Sequence, residues 1–178
     1  MEFEKVIRTR RSIRSYSKKE IPEDILKKIL DGARVAPSGY NKQPWYFIVV
    51  KDEKKKKKIA EYSYNQSFIG EAPVVIVCCG EKYENKYEPF KDRCYIVDVA
   101  IAIDHLILTA RNYGVGSCWI GAFHPEPIKK LLNIPDNINV LMVVPLGYPE
   151  DAEFSEESIR KPLEEIVFEE EYGRKITS

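Results

Sequence analysis

Apolar residues recur along this chain with two periods, and their changes of period mark out the elements. After a short amphipathic N-terminal segment, Ile21-Pro22-Glu23-Asp24 opens a helix with proline and acids in its first turn, where unpaired N–H groups favour both. Ile25, Ile29, Leu30 and Ala33 give it one apolar face, and it should end near Val35. Ala36-Pro37-Ser38-Gly39-Tyr40-Asn41-Lys42-Gln43-Pro44 is dense in turn formers. It feeds Trp45-Tyr46-Phe47-Ile48-Val49-Val50, an aromatic and β-branched run that reads as a buried strand.

Glu53 to Tyr62 has the pattern of a polar helix, and Pro73 to Cys79 that of a second buried strand. Cys94 to Tyr113 is a long helix, apolar on nearly every side, which must be buried centrally or at a subunit contact. Ser117 to Ala122 predicts a third strand, Pro125 to Leu132 a short helix, and Asn139 to Leu146 a further strand closed by Gly147-Tyr148-Pro149. The tail from Glu150 to Ser178 is polar. Its Pro162-Leu163-Glu164-Glu165-Ile166-Val167-Phe168 stretch ends in residues suited to an edge strand of this or another subunit.

Length and charge narrow the function classes. The 178 residues suit one domain over 1–178 with a sizeable apolar core. The 28 basic and 28 acidic side chains cancel, which argues against a general polyanion surface and so against nucleic acid. Cys78, Cys79, Cys94 and Cys118 show no C-x-x-C spacing, so neither a disulfide framework nor a metal site is expected, and neighbouring Cys78 and Cys79 would face opposite ways in a strand. The stretch from Val97 to Ala110 is too short to span a bilayer and carries Asp98, Asp104 and His105. MEFEKVIRTRR has no apolar signal core, so the expectation is a cytoplasmic protein with reduced thiols and no membrane partner.

The densest chemistry lies near the start. Arg8, Arg10, Arg11 and Arg14 fall within seven residues, interleaved with Ser12, Ser15 and Tyr16. Guanidinium forks match phosphate oxygens two-pronged, and a hydroxyl adds a further hydrogen bond. The competing reading is a solvated basic helix end. Gly114-Val115-Gly116-Ser117-Cys118-Trp119-Ile120-Gly121 fails as a dinucleotide fingerprint, because the third glycine is displaced and a helix precedes it. It reads either as a helix cap with plain packing or as a strand whose backbone lets a flat ligand approach. Lys54 to Lys58 reads as a solvated helix face; His105 and His124 read as core or capping residues without a triad or metal spacing.

Four stretches in order, Arg10-Arg11-Ser12-Ile13-Arg14-Ser15-Tyr16, Ala36 to Trp45, Gly114 to Gly121, and Arg160-Lys161-Pro162-Leu163-Glu164-Glu165, resemble the FMN-dependent nitroreductase family across nearly the whole chain. The resemblance implies an α+β fold, a central mixed, mostly antiparallel sheet flanked by helices, in an interlocked homodimer with two FMN sites at its interface. It implies that Arg10, Ser12 and Arg14 hold the phosphate, ribityl chain and pyrimidine edge, with Arg11 close by and Arg160 and Lys161 completing the phosphate grip. Pro37, Ser38 and Gly39, followed by Asn41 and Gln43, match a loop that lies against the flavin ring of the opposite subunit; Gly39 stands where many relatives have a second serine. Asn65 matches an asparagine that contacts the flavin, and Ile120, Gly121 and Ala122 match a strand end whose N–H groups approach its N5 region.

The activity so implied is reduction of nitroaromatic, quinone or similar small electron-poor acceptors by NADH or NADPH, through FMN and by a ping-pong mechanism, with the flavin rather than a protein side chain carrying the chemistry. Two alternatives share the fold: a specialised flavin enzyme, for reductive dehalogenation or flavin breakdown, and a non-catalytic flavin-binding dimer. The segment between Pro73 and the long helix is short compared with larger relatives, which leaves the substrate open.

Overall fold

A computed structural model describes residues 1–84, 86–87, 89–150, 154–156 and 158–176. In chain order the elements are α1 (Phe3–Thr9), α2 (Glu23–Arg34), β1 (Trp45–Val50), α3 (Glu53–Tyr62), α4 (Ser67–Glu71), β2 (Val74–Glu81), α5 (Cys94–Asn112), β3 (Gly116–Ser117), α6 (Pro125–Leu132) and β4 (Ile138–Gly147). The strands form one sheet in the order β1-β2-β4-β3, each neighbour antiparallel. An isolated parallel bridge between Ser12 and Ser117 adds the mixed component.

The sheet is filled from both sides by strict alternation. Along β2, Val74, Ile76 and Cys78 pack toward α2 and α5, while Val75, Val77 and Cys79 pack toward α3, α4 and α6. The two adjacent cysteines therefore lie in separate cores, as their strand placement requires. β1 differs from the expected buried strand: it is the sheet edge, and Tyr46 and Val49 are exposed. Its aromatic and β-branched residues suit an edge as well as a centre, so composition did not distinguish them.

α2 buries Leu26, Ile29 and Ala33, with Ile25 and Leu30 only half-buried, so its inner face is rotated slightly from the one expected. α5 buries Val99, Ile103, Leu106, Ile107 and Ala110 in the core that it shares with the sheet. Its other side keeps Ile96 and Val97 exposed, and Ala100, Ile101 and Leu108 half-buried. It ends in a Schellman motif: the Gly114 N–H donates to the Arg111 carbonyl at 3.0 Å and the Val115 N–H to the Ala110 carbonyl at 2.9 Å, with Gly114 at φ 73°.

Two further expectations change, and one element had no counterpart among them. The third strand spans only Gly116–Ser117, after which a single bridge joins Ile120 to Val143. α4 has five residues, too few for a periodic signal. Within the lysine run Lys56 is 2 % exposed; its ammonium donates to the Ala72 carbonyl at 2.6 Å and pairs with Glu53 at 2.7 Å, closing α3 onto α4. The other lysines of the run are exposed. In the tail, Leu163–Glu165 makes a 3-10 turn and Phe168 bridges Lys175 locally. Among the described residues no helix is long and apolar enough to cross a membrane.

Candidate functional site

The arginine motif begins where α1 stops. Arg10 takes an extended backbone, and the chain then runs along the sheet end, with the Ile13 N–H donating to the Ser117 carbonyl and the Ser17 N–H to the Tyr148 carbonyl, each at 2.9 Å. Extended backbone alternates its side chains: Ile13 is buried, so Ser12 and Arg14 face outward. The Tyr16 hydroxyl donates to the Ile13 carbonyl at 2.6 Å, and burial pushes its phenol well above the usual range, so it stays a neutral donor. The opposite anchor is Arg111, which donates to Thr9 Oγ1 at 2.9 Å and stacks on Phe154.

The Cys118 thiol is buried beside this motif. Burial raises its pKa, while Arg14, a hydrogen bond with Ser12, and Arg10 act to lower it. Arg10 and Arg14 have no carboxylate partner among the described residues, unlike Arg8, which pairs with Glu4. Two guanidinium groups without counter-ions beside an outward hydroxyl favour an anion of phosphate type. Arg11 donates to the Arg10 carbonyl at 2.6 Å and, with Arg8, Glu156, Ser158 and Arg160, lines a cavity of 380 Å³. Both ends of the chain thus meet at this side. Arg160 is exposed and donates to the Ile159 carbonyl at 2.8 Å; Lys161 is exposed.

The strand end beyond Cys118 lies next to this motif. The Ile120 N–H donates to the Val143 carbonyl at 3.0 Å and the Ile120 carbonyl accepts from the Val143 N–H at 3.1 Å, so the Ile120 N–H is committed to β4 rather than to a ligand. Among the described residues the N–H groups of exposed Gly121 and Ala122 make no backbone hydrogen bond, which leaves them open to a ligand. Asn65, with left-handed φ 58°, follows α3 and adjoins the same stretch: the neighbouring Gln66 side chain donates to the Ala122 carbonyl at 3.3 Å, and the His124 N–H to the Tyr62 carbonyl at 2.8 Å. His124 is the N-cap residue of α6, its ring against Tyr64.

Pro37, Ser38, Gly39, Asn41 and Gln43 lie elsewhere. The Gly39 N–H donates to Asp98 Oδ1 at 3.0 Å near the start of α5, whereas Thr9 is held by Arg111 at its end. The thirteen residue-to-residue steps of helix from Asp98 to Arg111 span about 20 Å. Within the loop, the Gln43 N–H donates to Ser38 Oγ at 2.9 Å, and Tyr40, Asn41 and Gln43 all adopt positive φ. One chain therefore gathers Arg10, Ser12, Arg14, Asn65, Gly121 and Ala122, with Arg11 and Arg160 beside them, and holds the second loop at the far end of α5.

Two residues of this loop's support escaped the sequence reading. Asp98, only 5 % exposed, also accepts the Tyr83 hydroxyl at 2.6 Å through Oδ2. Burial and that bond raise the Tyr83 pKa, keeping the hydroxyl protonated. The available signal was a carboxylate inside an otherwise apolar helix.

The nitroreductase family model matches residues 7–66 and 60–148, so it covers most of the chain. A protein of Archaeoglobus fulgidus, provisionally named NADH dehydrogenase/NAD(P)H nitroreductase, is 41% identical over 152 residues, covering 83% of this chain and 85% of its own. The FMN reductase [NAD(P)H] of Bacillus subtilis is 30% identical over 91% of this chain and 71% of its own, and the iodotyrosine deiodinase of Nematostella vectensis 28% identical over 93% and 74%. The crystal structure of a nitroreductase family protein from Clostridium novyi NT superposes with a TM-score of 0.80 at 36% identity, covering 98% of this chain and 97% of that one. Motif order, fold and relatives agree, and the chain belongs to the nitroreductase family of oxidoreductases.

Proposed function

We propose that this chain is an FMN-dependent NAD(P)H oxidoreductase of the cytoplasm that reduces nitroaromatic, quinone or similar electron-poor small molecules by a ping-pong mechanism, as a homodimer of single-domain subunits. When bound, FMN supplies the chemistry, accepting a hydride from NADH or NADPH and passing electrons to the acceptor. Arg10, Ser12 and Arg14 hold its phosphate, ribityl chain and pyrimidine edge, with Arg11, Arg160 and Lys161 adding positive charge at the phosphate. With FMN bound, the Arg14 guanidinium would stabilise the negative charge of the reduced flavin, and the Gly121 and Ala122 N–H groups would serve its reacting edge. Pro37, Ser38 and Gly39, with Asn41 and Gln43, cover the ring from the second subunit, while Asn65 contacts it from the first.

The observation that carries this reading is the separation of the two motifs along α5: the arginine motif and the Pro37–Gln43 loop are anchored about 20 Å apart, so one chain offers half a site. A two-fold dimer through the open apolar side of α5 presents each loop to the other chain's arginines. The test is an absorbance spectrum of the purified protein before and after NADH or NADPH is added without oxygen. Flavin bands that bleach support the reading; a colourless protein that refuses added FMN overturns it. The deiodinase relative favours reductive dehalogenation as the second reading, and a substrate screen separates them, because a specialist is poor on generic nitro compounds.

A further inference from the structure

The Pro37–Gln43 loop holds three non-glycine residues at positive φ, Tyr40 at 51°, Asn41 at 55° and Gln43 at 48°. Such backbone is strained for non-glycine residues and persists only where the surroundings impose it. Within the loop the Asn41 N–H donates to the Ser38 carbonyl and the Gln43 N–H to Ser38 Oγ, and Asp98 ties the loop to α5. The Asp98 carboxylate is buried without a cationic partner among the described residues, and each oxygen takes one strong hydrogen bond: Gly39 N–H at 3.0 Å from the loop, and the Tyr83 hydroxyl at 2.6 Å from the segment that joins β2 to α5. The Cys94 thiol is also within hydrogen-bonding range of that hydroxyl.

Gly39 is not needed for its backbone, since its φ is not left-handed. It is needed for space: a β-carbon there would lie 2.8 Å from Tyr83 Oη and 3.9 Å from both Asp98 oxygens. The Tyr83 hydroxyl thus occupies the place beside the loop that a larger residue at position 39 would claim. Position 39 and position 83 are alternatives for filling one polar site.

We propose that Asp98 and Tyr83 are positioning residues that clamp the Pro37–Gln43 loop in its strained pose, and that Tyr83 thereby sets how the loop meets the acceptor. The inference rests on the functional reading above, in which this loop covers the flavin of the second subunit. It adds that the segment between β2 and α5 acts on the acceptor side through a hydroxyl rather than through bulk.

The test uses the FMN-loaded dimer with Tyr83→Phe, Gly39→Ser and the double variant; Asp98→Asn is a further probe, but its buried site makes it prone to misfolding. Tyr83→Phe is expected to raise the KM for 4-nitrobenzoate and menadione about tenfold, the loss of one hydrogen bond to a charged group. Its FMN affinity, read by flavin fluorescence, stays within about twofold, because the phosphate grip is untouched. Hydrogen exchange in the 37–45 peptide becomes faster. Gly39→Ser alone behaves similarly by displacing Tyr83, whereas the double variant recovers toward wild type, since the serine hydroxyl enters the vacated space. Additive losses, or loaded variants with unchanged KM and exchange, overturn the clamp alone. A wild-type protein that takes up no FMN overturns the functional reading and the clamp's role with it.

Discussion

A β-carbon at position 116 would lie 2.7 Å from Cγ1 of Ile13, so the glycine of β3 and the apolar residue of the arginine motif are packed to contact. This approach lets Ser12 bridge Ser117 and sets Ser12 and Arg14 outward. Gly116→Ala is expected to cost about 1–3 kcal/mol of stability, as overpacking of a filled site does. It should also weaken FMN binding, because the motif is pushed from its rail. Urea denaturation and flavin titration check this; a variant with wild-type values in both would show that the contact positions nothing.

The separation of the two loops along α5 makes a prediction about mixed dimers. Arg14→Ala damages the arginine motif, and a chain with Pro37–Gln43 replaced by glycine and serine damages the covering loop; each alone should lose most activity. Refolded together, they form dimers in which one site combines the intact arginines of one chain with the intact loop of the other. Activity that reappears on mixing supports a shared site, whereas no recovery, with mixed dimers demonstrated by mass spectrometry, argues for a site built within each chain.

Lys56 has a structural role that its neighbours lack. Lys56→Met leaves the Ala72 carbonyl without its donor, which should cost about 1–3 kcal/mol. Lys54→Ala and Lys55→Ala, at exposed positions, should stay within about 0.5 kcal/mol. Thermal unfolding of the three variants distinguishes these expectations.

Burial pushes the Cys79 thiol up to about 12. The unfolded chain releases that proton near pH 9 while the folded chain retains it, so the folded state binds more protons and stability must fall as pH rises from about 9 toward 12. Below pH 9 this contribution is fully present. Cys79→Ala should reduce the steepness of the alkaline decline in urea midpoints, even though the smaller side chain lowers the midpoint itself. An unchanged slope would mean that other groups carry the loss.

The chain's local patterns determined most of the elements. The expected bounds of α3 and α6 match the structure, where Asp52 caps the start of α3 and Pro125 opens α6. The alternation that sends Cys78 and Cys79 to opposite cores was likewise legible, since side-chain direction in a strand depends only on parity. The arginine cluster was legible as a concentration of guanidinium groups because it lies within seven consecutive residues; its hold on a phosphate is the proposal made above.

Tertiary structure alone decided what depends on distant partners. β1 became an edge, and β3 shrank to two residues, because pairing is set by neighbouring strands rather than by a strand's own composition. Lys56 was drawn inside by carbonyls sixteen and seventeen residues away, and Asp98 by groups from two separate segments. The placement of the two motifs at opposite ends of α5 was also hidden: a helix keeps its residues in line at 1.5 Å each, but only packing determines which loops are tied to which end.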